Sequence, residues 1–328
     1  MGSAVLVTGG AGYIGSVTVE RLAEAGCKAV VLDDLSRGHR SAVAPGVPLV
    51  VGDVGDRDLL PRVIAEHGVD SVIHFAAQSV VPESLERPGD YYRTNVVAGC
   101  ALLEAMAYAG VRKMVFSSSA GVYGEPESVP IRESHRTNPL SVYGDTKLVF
   151  ERVLEWRSRS AGLQYVSLRY FNAAGASVRF GEDHRPETHL IPNALRAAAS
   201  AGADITVFGN DYDTPDGTCI RDYVDVRDLA DAHIASLAAL DRGRSGVYNL
   251  GSGEGWSVLN VLDAVSAVTG KRIPYAVGPR REGDPARLVA SSSLAERELG
   301  WKPRHHELGD MIESAWAWAR RFPEGYPD

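Results

Sequence analysis

Six short runs dominated by Val, Leu and Ile, at residues 4–8, 29–33, 48–52, 71–75, 113–117 and 165–169, are mostly separated by stretches of helix length. Strands that are apolar along their whole length have to be buried on both faces, and parallel strands need long crossover connections. The pattern therefore predicts an α/β chain with a doubly wound parallel sheet between two layers of helices. From about residue 172 the rhythm breaks: residues 172–221 are rich in Gly, Pro, His and Asp, residues 222–240 return to strand-then-helix, and residues 247–250 read as another buried strand. The expected division is a first domain of residues 1–172 with a return segment at about 222–250, and a smaller interleaved C-terminal domain of residues 173–221 and 251–328.

The first strand runs into Thr8-Gly9-Gly10-Ala11-Gly12-Tyr13-Ile14-Gly15, and a helical pattern follows to Ala25 before Gly26 closes it. Glycines at positions 9, 12 and 15 let the backbone turn sharply and approach a pyrophosphate, whose charge then meets the free N–H groups of the helix start. A loop of this kind after a strand and before a helix makes the sheet Rossmann-type; the alternative is a plain tight turn. The second strand ends in Asp33-Asp34, eighteen residues beyond Gly15. A carboxylate there can accept the ribose 2′-hydroxyl of NAD and repel a 2′-phosphate, which favours NAD over NADP. Arg37 is the counter-argument, because a guanidinium can bind that phosphate. Asp53, after the third strand, is placed either to reach the adenine or to cap its own turn.

The fifth strand carries Ser117-Ser118-Ser119 to the carboxyl edge of the sheet, where open α/β sheets bind their ligands. Further on, Tyr143 and Lys147 stand four apart at the start of a helical run, on one helix face. A phenol titrates near pH ~10, so work as a base near neutrality needs a depression of roughly three units, or about 4 kcal/mol. One positive charge within ~4–6 Å supplies about one to three units, so Lys147 and an oxidised nicotinamide together suffice. Ser119 would align the reacting oxygen. Taken alone, Tyr-x-x-x-Lys describes many ordinary amphipathic helices; the loop and serine strand ahead of it give it meaning.

These motifs resemble the extended short-chain dehydrogenase/reductase family, and within it the 4-epimerases that interconvert UDP-galactose and UDP-glucose. The resemblance spans nearly the whole chain, from Leu6–Gly15 through Arg169-Tyr170-Phe171-Asn172-Ala173-Ala174-Gly175 to Gly325-Tyr326-Pro327-Asp328. Its most specific parts are Phe208-Gly209-Asn210-Asp211-Tyr212, Asp216-Gly217-Thr218-Cys219-Ile220-Arg221-Asp222-Tyr223 and Arg280-Arg281-Glu282-Gly283-Asp284. The resemblance implies tightly bound NAD as hydride carrier in the first domain and a UDP-sugar in the second. Gly9, Gly12, Tyr13, Ile14, Gly15, Asp33, Asp34, Leu35, Ser36, Arg37, Gly38, Asp53, Val54, Phe75, Ala76, Ala77, Ser79, Asn95, Ser117, Tyr143, Lys147, Tyr170 and Phe171 would line the cofactor site. Tyr143 would be the base with Lys147 and Ser119 beside it. Ser119, Tyr143, Asn172, His189, Leu190, Thr206, Val207, Phe208, Arg221, Arg281, Asp284 and Leu288 would hold the substrate. Arg221 and Arg281 suit a diphosphate through charge-assisted, fork-shaped hydrogen bonds, and Asp284 a ribose hydroxyl.

Four positions depart from the common pattern: Ser79 where some members have Lys, Gly121 where Thr is usual, Asp225 in place of His, and His189 in place of Asn; Leu288 stands at the position that limits room near the sugar's C2. Gly121 also matters for rival activities, because dehydratase and decarboxylase relatives carry an acid just before the Val-Tyr-Gly that is Val122-Tyr123-Gly124 here. A uronate or pentose 4-epimerase stays open, with Arg185 or Arg287 as partner for a carboxylate, as does acceptance of N-acetylated sugars. A protein that binds NAD without catalysis would be expected to have lost Tyr143 or Lys147, and both are present. Helical stretches at 90–109 and 143–160 would form the homodimer usual in the family.

Composition narrows the remaining classes. With 34 Lys+Arg against 42 Asp+Glu the formal charge is −8, and no basic run favours nucleic acid or an anionic membrane. Three cysteines without a C-x-x-C pair fit neither a disulfide framework nor a zinc ribbon. His305 and His306 are adjacent and would point apart on a helix, there is no His-Glu-x-x-His, and no metal is expected. No apolar window reaches the ~18 residues of a membrane span, and no basic leader precedes one, so a cytoplasmic enzyme is expected.

Overall fold

The computed structural model describes residues 3–200, 205–281 and 283–327; Glu282 and Asp328 of the motifs quoted above lie outside the described residues. In chain order, the first half runs β1 (Ala4–Thr8), α1 (Tyr13–Glu24), β2 (Lys28–Asp33), β3 (Leu49–Val51), α2 (Leu59–His67) and β4 (Val69–His74). Two short helices follow, α3 (Val81–Glu86) and α4 (Pro88–Tyr92), the second passing through a π-helical stretch (Arg93–Ala98) into α5 (Gly99–Tyr108). Then come β5 (Lys113–Ser119), α6 (Val142–Ala161) and β6 (Gln164–Tyr170).

The second half begins with β7 (Asn172–Ala174), α7 (Leu190–Ala199), β8 (Ile205–Phe208), β9 (Ile220–Arg221) and β10 (Tyr223–Asp225). It returns to the seven-stranded sheet through α8 (Val226–Asp241) and β11 (Gly246–Leu250). It ends with β12 (Trp256–Ser257), α9 (Val258–Thr269), β13 (Tyr275–Gly278), β14 (Arg287–Leu288), α10 (Ser293–Leu299) and α11 (Leu308–Arg321). None of the described helices is long and apolar enough to cross a membrane.

The sheet is a seven-stranded, all-parallel doubly wound sheet in the order β11-β6-β5-β4-β1-β2-β3. Strand alternation splits its apolar residues between two cores. Val5, Val7, Val31, Ile73 and Val115 face one side with α1 and α8, while Leu6, Val30, Val72, Met114 and Phe116 face the other with α2, α5 and α6. The chain leaves β1 toward β2 and β3 and later fills the opposite flank with β4, β5, β6 and β11. This reversal opens a crevice above the carboxyl ends of β1 and β4.

All six early strands are where the apolar runs place them, with shifted ends. The run at 48–52 pairs only over Leu49–Val51, and β4 starts two residues early at Val69. β5 and β6 outlast their apolar runs, because their ladder continues to Ser117↔Leu168, Ser118↔Arg169 and Ser119↔Tyr170. Backbone pairing thus carries polar residues out to the sheet edge, where apolar periodicity gives no signal.

A separate core forms from α7, α9, α11 and the parallel pair of β8 and β13, with Ile191, Leu195, Val207, Val261 and Met311 buried. β9 joins β12 antiparallel and β14 parallel, and β7 pairs with β10. The C-terminal segment serves both cores: Ala295, Leu299, Trp301, Trp318 and Tyr326 pack into the sheet-side core with α1 and α8.

A glycine sets how closely α5 approaches α6. A Cβ on Gly99, at the start of α5, would stand 2.5 Å from Cε2 of Phe150 on α6. Gly99→Ala is expected to destabilise the protein by about 1–3 kcal/mol through overpacking, although alanine is the better helix former. Urea denaturation of the single variant and of Gly99→Ala with Phe150→Leu checks this, with partial recovery expected in the pair.

Candidate functional site

The crevice is a cleft of about 740 Å³ whose walls come from the loops after β1, β2, β3, β4 and β5, the start of α6, and residues 170–175, 182–192 and 315 of the other side. Two of the loop glycines are required sterically. Gly9 has φ +70° and a Cβ there would lie 2.5 Å from the Ala76 nitrogen; a Cβ on Gly15 would lie 2.2 Å from the Gly9 oxygen. Gly12 caps α1 in an extended conformation with no side chain bonding the helix N–H groups, and a Cβ there would make only an ordinary contact, 3.5 Å from the Gly9 oxygen.

Asp33 is buried at the end of β2, where Oδ2 accepts from the Ala11 N–H (2.9 Å) and Oδ1 from the Leu35 N–H (2.9 Å). Burial raises its pKa against the pull of these two bonds. The strand-end acid therefore pins the glycine loop as well as facing the cleft. Asp53 caps its turn, accepting from the Gly55 N–H at 2.5 Å, and also lines the cleft.

An NAD molecule fits these walls on two counts: the uncapped start of α1, and Gln78 Oε1, a buried acceptor in the wall without a hydrogen-bond partner. Of the expected cofactor residues, all but Leu35 and Asn95 form the cleft wall. Leu35 has φ +60° and contributes its backbone N–H to Asp33. Asn95 lies one layer behind, accepting from the Gln78 N–H (2.8 Å) and donating to the Gln78 oxygen (3.0 Å) and Thr146 Oγ1 (3.0 Å). It shapes the segment after β4 from below.

Ser119, Tyr143 and Lys147, the residues expected to be catalytic, converge at the far end of the same cleft. Ser141 caps α6, accepting from the Gly144 N–H, so Tyr143 sits in the first helical turn and Lys147 one turn on. Ser119 ends β5, and its hydrogen bond with Tyr143 draws the phenol's pKa down while burial drives it up, leaving it raised. Lys147 Nζ donates to the Ser117 oxygen at 2.8 Å and lies 5.7 Å from the centroid of the Tyr143 ring. Burial pulls Lys147 down to about 7, and Glu151, one turn further, opposes this. In this protein alone the phenol is thus held protonated, and its activation depends on added positive charge.

Behind these groups lies a buried polar network. Glu151 receives Ser118 Oγ (2.5 Å) and a two-pronged bond from Arg169 (2.9 and 2.6 Å). Arg169 also donates to Tyr123 Oη (2.8 Å), which donates to Asn249 Oδ1 (2.7 Å) on β11. A Cβ on Gly121 would stand 3.3 Å from Ser119 Oγ and 4.0 Å from the Tyr143 ring. An acid at that position would face the reacting centre, and this chain has none.

The expected substrate residues separate into two groups. Ser119, Tyr143, Asn172 and His189 line the cleft; Leu190, Thr206, Val207, Phe208, Arg221, Arg281, Asp284 and Leu288 do not. The second group makes its own contacts. Arg221 pairs with Asp284, Arg281 lies 3.9 Å over the Phe208 ring, and Leu288 packs on the cluster containing Tyr123, Leu148 and Phe171. Arg185 bonds Asp183 Oδ2 and the Glu324 oxygen, and Arg287 the Asp213 oxygen, so neither reaches the cleft wall. Asp225 is the buried N-cap of α8 and bonds Arg227 through both oxygens, which accounts for an acid at that position.

Sequence reasoning missed Gln78, Glu83, Thr94, Glu182 and His184 in the wall. Glu182 bonds His184, and Glu187 accepts from His189 Nδ1 at 2.7 Å. Burial opposes charge on both imidazoles, but the carboxylates outweigh it and raise both. The ligand atoms of Glu182, His184 and His189 lie within 4.8 Å of one another, and these ion pairs account for that approach.

Residues 5–251 match the NAD dependent epimerase/dehydratase family. A UDP-glucose 4-epimerase of Lactobacillus helveticus is 49% identical over 99% of both chains. A crystal structure of a UDP-glucose 4-epimerase superposes with a TM-score of 0.97 at 47% identity, covering 99% of this chain and 100% of that one. The Bifidobacterium longum UDP-glucose 4-epimerase in complex with NAD+ and UDP gives 0.93 at 39% identity, covering 99% and 100%.

Because Lys147 titrates near 7 when folded and near 10.5 when unfolded, burying its charge costs stability fully below pH 7. That cost is relieved as pH rises from about 7 to 10.5. Lys147→Met is therefore expected to stabilise the fold more at pH 6 than at pH 10 relative to the parent protein, as read by denaturant midpoints.

Proposed function

The chain belongs to the NAD dependent epimerase/dehydratase family, and from that premise we propose that it is an NAD-dependent epimerase interconverting UDP-galactose and UDP-glucose at C4. The observation that carries this reading is the convergence of Ser119, Tyr143 and Lys147 on one end of a cleft whose other end is the glycine loop, with Gly121 where dehydration would need an acid. The UDP-glucose 4-epimerase names of the relatives support it.

NAD, when bound, supplies the acceptor and donor of hydride and a positive ring next to Tyr143. Tyr143 takes the 4-hydroxyl proton as C4 is oxidised, and holds it at its phenolic oxygen while the 4-keto sugar turns over. Ser119 hydrogen-bonds the reacting oxygen, and Lys147 keeps the phenolate electrostatically favourable. Tyr143 then gives the proton back to the 4-oxygen, and reduction of C4 on its other face would yield the epimer with no net redox change. Firm hold on UDP with few contacts to the sugar suits this reversal, since tight sugar contacts would favour one face. Uronate substrates gain no support, because Arg185 and Arg287 are committed elsewhere.

The protein is read as cytoplasmic and homodimeric. Val97, Tyr108 and Trp156, on or beside α5 and α6, are 58%, 86% and 66% exposed, which is apolar area suited to a second copy. Trp156→Glu is expected to shift the mass in solution from dimer to monomer, as read by sedimentation.

The test of function is incubation of the purified protein with UDP-galactose, without and with added NAD, resolving the epimers by chromatography. Formation of UDP-glucose is expected, and Tyr143→Phe is expected to lower turnover by roughly 10²- to 10⁴-fold. No conversion in either condition would overturn the proposal.

A further inference from the structure

Arg37 stands four residues after Asp33, in the loop that carries the strand-end acid, where an arginine ordinarily serves to bind the 2′-phosphate of NADP. Binding a phosphate in that way uses the guanidinium's paired N–H groups as a fork. Here both arms are already used. Nη1 donates to the Arg185 oxygen at 2.7 Å, and Nη2 to Glu83 Oε2 at 2.9 Å. Arg37 and Glu83 both line the cleft, together with Asp33, Asp34 and Ser36. Glu83 is itself held in place: Arg87 lies 3.5 Å from its Oε1, and Tyr91 Oη donates to Oε2 at 3.5 Å while its main bond goes to the Val80 oxygen.

We infer that Glu83 is a specificity residue for the cofactor: it holds the Arg37 guanidinium away from the ribose 2′-position and adds a carboxylate to the face that a 2′-phosphate would approach. The inference rests on the reading that this end of the cleft receives the adenosine half of NAD. Asp33 supplies the acceptor for a 2′-hydroxyl, and Glu83 occupies a nearby guanidinium that would reward a phosphate. Discrimination then has an attractive part for NAD and a repulsive part against NADP, carried by separate residues.

The test uses the full chain unfolded in urea and refolded with NAD and NADP at equal concentration. Unbound nucleotide is removed by gel filtration and the retained nucleotides are quantified by chromatography. The parent protein is expected to retain NAD almost exclusively. Glu83→Gln is expected to move the retained ratio toward NADP by roughly 10- to 100-fold, the worth of a freed charge-assisted hydrogen bond. Adding Arg37→Ala to Glu83→Gln is expected to return the ratio toward that of the parent. Glu83→Ala provides a second removal of the carboxylate should the glutamine variant refold poorly.

An unchanged ratio in both Glu83 variants, with NAD still bound, overturns the role of Glu83 and leaves the cleft reading intact. A gain in NADP that survives Arg37→Ala overturns it as well, because the freed guanidinium would not be the cause. Retention of neither nucleotide by the parent protein overturns the cleft reading and this inference together.

Discussion

The carboxylate of Glu151 is the contact on which the catalytic end of the molecule depends. It is buried one helical turn beyond Lys147, and it joins the three elements that carry the reacting groups: Ser118 on β5, its own helix α6, and Arg169 on β6. Breaking a buried ion pair by neutralising one partner strands the other charge in a low dielectric, at a cost of about 3–5 kcal/mol. The same carboxylate opposes the loss of charge that burial imposes on Lys147. One side chain thus fixes where Tyr143 and Lys147 stand and how much positive charge the phenol experiences.

At its other end the cleft is organised by a different carboxylate used in the same double fashion. Asp33 binds the glycine loop through Ala11 and its own turn through Leu35, so the loop's geometry is set by the group that faces the ligand. Binding energy is best conserved when the binding groups are already held in place. Both ends of the cleft follow this rule, with backbone and buried side chains occupying lone pairs that would otherwise be free to wander.

The sheet and the grouping of Ser119, Tyr143 and Lys147 were legible in the sequence because their signals are local. Apolar runs with helix-length spacing, glycines that a φ of +70° or a 2.2 Å approach demands, and a Tyr-Lys pair one turn apart can each be read within a few residues. The polar network was not legible, because its members meet from far apart: Tyr123 bonds Asn249 across 126 residues, and Ser118 bonds Glu151 across 33. Asn95 and Leu35 were read as wall residues from the resemblance, and the structure gives them supporting places instead. Asp225 had no account in the sequence, since its partner Arg227 becomes meaningful only once the residue is known to cap a buried helix. His184 and Glu182 escaped notice inside a stretch whose Gly, Pro, His and Asp content reads simply as loop.

The place of β11 in the sheet has a temporal meaning. A ribosome delivers β1 to β6, both serines and the whole of α6 by residue 170, yet the strand that covers β6 is made only after the intervening excursion through residues 172–245. Until then the outer edge of β6 is unpaired, and Tyr123 has no Asn249 to receive its proton. The nascent chain therefore carries an open β-edge during about a quarter of its synthesis, the kind of surface that recruits other strands. Closure of that edge and completion of the network beneath the catalytic helix are the same event.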